Sequence, residues 1–337
     1  MIRVAVLLFL ISLFAQKSCA VAQAFQLPTP NRAIFLEGNE DRYFTPTVGR
    51  TWESGTFGCV RSDGWQMHEG IDIKCVERDK KGEPVDPVSA AADGIISYIN
   101  SKPGLSNYGN YIVMRHQIDG MTIYTLYAHL RKMAGGLRVG QFKKTGEIIA
   151  TMGRTANTRQ GISKERAHLH FEINVLANES FTSWYKNRFP DQRNDHGKWN
   201  GQNLIGLNPW DIFMSQKKAA AARRQFSLLK YIKEQPVLCR IKVIKPKNFN
   251  LLNRFPLLVK ESKNVQLAGY EISLNPNGVP VGIIPITSEK SKLKESTELA
   301  VDPQVYKAAP CRKLVFKKGQ KWVLTAKGMA HLDLITN

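Results

Sequence analysis

The chain has 337 residues, with 48 Lys and Arg against 28 Asp and Glu, a formal net charge of +20 at pH 7. No internal repeat and no low-complexity tract interrupts it, which excludes a repeat array or a biased, unstructured polymer as its main architecture. The basic excess points to polyanionic partners, and the compartment decides which ones.

Arg3 precedes an apolar run from Val4 to Ala15, and the small residues Ala20-Val21-Ala22 follow. This predicts a secretory signal peptide over residues 1–22, cleaved after Ala22, and an exported protein, periplasmic or extracellular. The run is about a dozen residues long, against the ~20 needed to span a bilayer. Gln16, Lys17 and Ser18 before Cys19 fit a lipoprotein signal poorly. Export removes nucleic acid from the expected partners and replaces it with anionic wall polymers or lipopolysaccharide. Cleavage leaves Cys59, Cys75, Cys239 and Cys311 in an oxidising compartment. The even count predicts disulfides, expected as Cys59 with Cys75 and Cys239 with Cys311 because each pair falls inside one expected domain.

Residues 23–50, with Pro28, Pro30 and Pro46, read as an extended N-terminal arm. From Cys59 to about Ile173 short β-branched runs separated by turn signals predict a mainly β domain, assigned to residues 51–216, with strands at Gly94 to Ile99, Tyr111 to His116, Met121 to Ala128, Glu147 to Met152 and His168 to Ile173. Residues 177–206 interrupt this rhythm and read as a loop insertion, a candidate lip for a substrate groove. Residues 217–234 read as a helical connector. Residues 235–337 read as a small β-rich domain of no assigned family. From residue 217 onward there are 23 Lys and Arg against 8 Asp and Glu, so most of the excess charge lies there. A polyanion-binding surface and a merely solubilising one are the two readings of that charge.

Four of the seven histidines fall in three short segments: Met67-His68-Glu69-Gly70-Ile71-Asp72, Leu126-Tyr127-Ala128-His129-Leu130 and Ala167-His168-Leu169-His170-Phe171. Side chains alternate across a strand, so His168 and His170 can face one pocket, and so can His68 and Asp72 if their segment is extended. Two imidazoles and a carboxylate, with one position left for water, are the donor set of a catalytic zinc site. Histidines outside that set suit proton transfer. His116, His196 and His331 read as structural or solvent-facing residues.

These segments resemble the motifs of the lysostaphin/LytM-type zinc peptidases, over about Arg61 to Ile173. Pro87 to Gly94, Tyr108-Gly109-Asn110 and the turn at Leu137 to Gly146 resemble the family too. The resemblance implies an antiparallel β-sheet fold with an open groove, zinc held by His68, Asp72 and His170, and His129 and His168 acting on the water and the oxyanion. It implies an endopeptidase that hydrolyses peptide crosslinks of peptidoglycan. Asn31 or Asn39 of the arm is a candidate to occupy the fourth zinc position and hold the enzyme latent, as an N-terminal segment does in some relatives. The segment after Asp72, with Cys75, and the basic run Thr155 to Arg166 depart from the family and leave substrate choice open. Two rivals remain: a non-catalytic murein-binding regulator that activates other wall hydrolases, and a wall-binding or adhesive module working through the basic C-terminal domain.

Overall fold

The computed structural model describes residues 23–158, 161–244, 249–261, 267–287 and 298–337. The expected leader, with Cys19, lies outside the described residues. Among the described residues no helix is long and apolar enough to cross a membrane.

The protein is mainly β, and its strands pair antiparallel. In chain order the first half contains β1 (Gly58–Arg61), β2 (Gln66–His68), β3 (Ile71–Lys74), β4 (Pro87–Ser89), β5 (Gly94–Asn100), β6 (Tyr111–Ile118), β7 (Met121–Ala128), β8 (Lys132–Met133), β9 (Phe142–Lys143), β10 (Ile148–Thr151), β11 (His168–Leu176) and β12 (Leu204–Leu207). The main sheet runs β12-β11-β7-β6-β5-β9, and β3 also pairs with β11. Local chemistry sets its central hairpin. Asp119 and Gly120, between β6 and β7, both take left-handed φ (51° and 74°), the two-residue turn whose twist matches that of paired strands.

Strand β11 organises the molecule, and all nine of its residues are buried. Its alternation is strict: Leu169, Phe171, Ile173 and Val175 join the main apolar cluster, while His168, His170, Glu172 and Asn174 occupy the alternate positions. Phe171 stacks on Phe213 of the helix Pro209–Ala221, which Asn208 caps by accepting the Asp211 N–H. Full burial of a side chain such as Phe171 contributes about 1.5–3 kcal/mol, so the apolar face of β11 holds the polar one in place.

The second half contains β13 (Cys239–Ile244), β14 (Leu267–Leu274), β15 (Pro280–Thr287) and β16 (Glu298–Val301), in the order β15-β14-β13-β16, followed by the hairpin of β17 (Val315–Lys318) and β18 (Lys321–Leu324) and a closing helix Ala326–Thr336. Ile272 and Ile335 from this half belong to the same buried cluster as Ile71 and Phe171.

Several expectations need correction. The disulfide joins Cys59 to Cys311, 252 residues apart, and ties β1 to the second half. Cys75 and Cys239 are buried free thiols. The Cys75 thiol donates to Asp86 Oδ2 at 2.8 Å, and burial together with that carboxylate pushes its pKa up to about 12. Residues 177–206 are not a structureless loop. They contain the helix Phe181–Arg188, and their end enters β12, which pairs with β11 from Ile173 to Leu176. The helix after β12 begins at Pro209 and stops at Ala221, and a short second one follows at Leu228–Lys233. In the arm, Asn31 donates to the carbonyls of Arg42 and Lys74 and Asn39 to that of Glu37, and neither residue lines the cavity that holds the histidine cluster. His331 is buried, with Nε2–H donating to the Gly278 carbonyl at 2.8 Å, because its helix packs back onto the sheet. His196 lies against Tyr98, accepting at Nδ1 from its hydroxyl at 2.9 Å.

Candidate metal centre

The register of three strands assembles the site. His170 on β11 lies opposite Asp72 on β3 and opposite Ala128 on β7, one residue before His129. His68, at the end of β2, reaches the same point because Gly70 lets the chain pass close to β11; a Cβ there would lie 2.3 Å from the Phe171 carbonyl oxygen. His68 Nε2, Asp72 Oδ1 and His170 Nδ1 converge with separations of 3.0–3.1 Å. Zinc bonds of ~2.1 Å at tetrahedral angles place ligand atoms about 3.4 Å apart, so these three donors fit one face of such a polyhedron with a small outward movement. They are a buried His-Asp-His group of the kind that can hold a metal ion.

Backbone carbonyls orient the imidazoles. The Nδ1–H of His68 donates to Thr56 O at 2.6 Å, that of His168 to Arg166 O at 2.6 Å and that of His129 to Thr155 O at 2.8 Å. With Nδ1 as the donor in each ring, the neutral tautomer carries its lone pair on Nε2. His170 is reversed: Nδ1 faces the cluster, and Nε2–H donates to Glu172 Oε1 at 2.8 Å. Glu172, fully buried, also accepts from the Tyr108 hydroxyl at 2.7 Å and from Asn174 Nδ2 at 2.8 Å. A carboxylate behind a ligating imidazole fixes its orientation and raises its basicity.

His129 takes a left-handed φ of 61°, a conformation that a non-glycine residue holds only when its surroundings enforce it. Here its N–H donates to Tyr108 O and its ring to Thr155 O. Gly109 makes that junction possible, since a Cβ on it would lie 2.2 Å from Thr155 O. The His129 and His168 ring centroids are 4.8 Å apart, edge to face.

The cluster has a pronounced electrostatic pattern. Burial alone would raise the pKa of Asp72, but His168, His68 and Arg61 outweigh it and hold the carboxylate well below its usual range. Burial would likewise raise Glu172, and His170 overcomes it. Burial opposes a charge on His170, yet its bonds to Asp72 and Glu172 push it up to about 10. Two buried carboxylates thus demand positive charge at this point. Burial depresses His129 strongly and His168 less, leaving both neutral near pH 7. Arg61 contributes a second cation, its Nη2 lying 2.5 Å from Asp72 Oδ2 and 3.0 Å from His68 Nε2.

The five expected residues therefore line one open cavity of ≈ 740 Å³, together with Arg61 and Tyr108. Sequence reasoning assigned no role to Glu172, Tyr108 or Arg61. The signal available for Glu172 was its spacing, two residues beyond His170 on the same strand face.

The model of Peptidase family M23 matches residues 66–182, the segment that carries all five of these residues. This segment belongs to the M23 family. The M23 segment is similar to the murein hydrolase activator NlpD of Escherichia coli, with 38% identity over 38% of this chain and 27% of that one. It is 32% identical to the DD-carboxypeptidase/endopeptidase Mpg of Neisseria meningitidis over 33% of this chain and 21% of that one. The catalytic domain of lysostaphin from Staphylococcus simulans is 21% identical, with a TM-score of 0.28, covering 51% of this chain and 89% of that one. The chain thus spans well under half the length of the two curated relatives.

Proposed function

We propose that this protein is an exported zinc endopeptidase that hydrolyses peptide crosslinks of bacterial peptidoglycan in the periplasm or outside the cell. The observation that carries this reading is the convergence of His68 Nε2, Asp72 Oδ1 and His170 Nδ1 beside two further neutral imidazoles in an open cavity. These three atoms would hold Zn²⁺. When bound, the metal supplies Lewis acidity toward an amide carbonyl and toward water.

The remaining steps fall to the protein's own groups. The lone pair on Nε2 of His129 or His168, kept free by the Nδ1–H bonds to Thr155 O and Arg166 O, accepts a proton from the attacking water. The resulting imidazolium donates to the developing oxyanion or to the leaving amine, and Asp72, 3.5 Å from His168 Nε2, stabilises that charge. Glu172 keeps His170 in the tautomer whose Nδ1 faces the metal position. The basic C-terminal residues are a second contact for anionic wall polymers or lipopolysaccharide.

The likeness to NlpD favours a second reading, a murein-binding activator of other wall hydrolases. Digestion of purified murein by the wild type and by His170→Ala separates the two. The peptidase releases soluble peptides and His170→Ala does not; equal release by both proteins would remove the zinc mechanism. An activator releases nothing alone and speeds an added murein hydrolase, and His170→Ala does so equally well.

A further inference from the structure

A second cavity of ≈ 650 Å³ adjoins the histidine cavity; Gln66, Met67, Glu69, Asn107 and Tyr108 line both. Its far wall comes from the second half of the chain, through Arg312, Lys313 and Lys327, and from the segment around Arg193 and Asp195. Arg193 and Asp195 pair with each other at 2.5 Å, which leaves Glu69 as the unspent anion against three cations. The disulfide holds this wall in position, since Cys311 is bonded to Cys59 on β1, two residues before Arg61.

Arg312 is the unusual member. Its side chain makes no hydrogen bond or ion pair with any described residue, and its Nε is a buried donor without a partner. Glu69 offsets part of its charge at longer range, but a guanidinium half withdrawn from water without a hydrogen-bonded partner is costly to the folded protein, and the cost is recovered by a ligand that fits its planar fork. A carboxylate does so with two parallel hydrogen bonds.

We infer that Arg312 and the adjoining cavity form a subsite for a carboxylate carried by the peptide substrate, close to the bond that is cut, with Lys313 and Lys327 adding longer-range attraction. The second half of the chain thereby completes the groove of the M23 segment and selects acidic peptides. This rests on the proposed peptidase reading in taking the ligand to be a wall peptide.

The test is calorimetric titration of the full-length protein with two probes, a murein-derived stem peptide with a free C-terminal carboxylate and the same peptide as its C-terminal amide. Mass spectrometry of the recovered peptides records cleavage separately. The wild type should prefer the acid by roughly tenfold, Arg312→Gln should bind both peptides alike, and Arg312→Lys should retain part of the preference. Equal binding of acid and amide by the wild type, or a preference that survives in Arg312→Gln, overturns the subsite. Lack of cleavage with the preference intact counts against the peptidase reading and leaves the subsite standing.

Discussion

Replacing Glu172 with Gln removes one buried negative charge from behind His170 while preserving the shape of the site. Glu172 Oε1 accepts both the His170 Nε2–H at 2.8 Å and the Tyr108 hydroxyl at 2.7 Å, and the Gln carbonyl oxygen can take both roles. The new amide nitrogen then faces Asn174, whose Oδ1 has no partner; turning that side-chain amide over supplies the missing acceptor. Structure is therefore retained and charge alone is lost. Loss of such a supporting group lowers metal affinity by roughly tenfold to a hundredfold, or about 1.4–2.7 kcal/mol. The same charge also favours the proton that competes with metal for His170, whose pKa is pushed up to about 10. Proton competition partly masks the loss at neutral pH, so the difference between wild type and variant should widen as pH rises toward that value. Zinc affinity measured against a chromophoric chelator over a pH series reads both effects. Affinities of the two proteins that agree within about twofold across the series would refute the argument that this carboxylate tunes the site.

His129→Ala and His168→Ala should each lower kcat on a murein peptide by about 10²–10⁴-fold while elemental analysis still finds one zinc per chain; loss of the metal would make the residue a ligand instead. Replacing Cys59 and Cys311 together opens a loop of 252 residues, for which the chain-entropy model gives an upper figure of ~5.5 kcal/mol. Urea unfolding followed by Trp fluorescence should show a lower midpoint for the double variant, and an unchanged midpoint would deny the disulfide a stabilising role. Burial lowers the pKa of His331 to about 4, below the ~6.5 of an unfolded chain, so the unfolded state binds the extra proton first. Its contribution is complete above pH ~6.5 and is lost as pH falls toward about 4, by at most ~3 kcal/mol. The stability of His331→Gln should accordingly fall less steeply than that of the wild type over this window; parallel curves would contradict the buried neutral imidazole.

Much of the site was legible because its chemistry is written in short spacings. His168 and His170 share a face of β11 because strand geometry has a period of two, and the same period places Glu172 behind them. Glu172 escaped notice because a carboxylate in a strand looks like a solvent-facing residue until both faces are known to be buried. Arg61 escaped because its guanidinium reaches Asp72 from β1, across a turn whose geometry no local pattern specifies. The disulfide was misread for a related reason: proximity in sequence and membership of one expected domain favoured Cys59 with Cys75, whereas the packing of the second half brings Cys311 to Cys59.

The amino-acid sequence by itself determined the donor types, the strands that carry them and the mainly β class, since residue chemistry and side-chain periodicity are local properties. Only the tertiary structure decided that three strands register His170 against Asp72 and beside His129, that Glu172 and Tyr108 stand behind the donors, and that Arg312 opens onto the adjoining groove. Those relations depend on chain segments far apart in sequence, and close packing of the apolar faces, which no short stretch of sequence encodes, sets their separations.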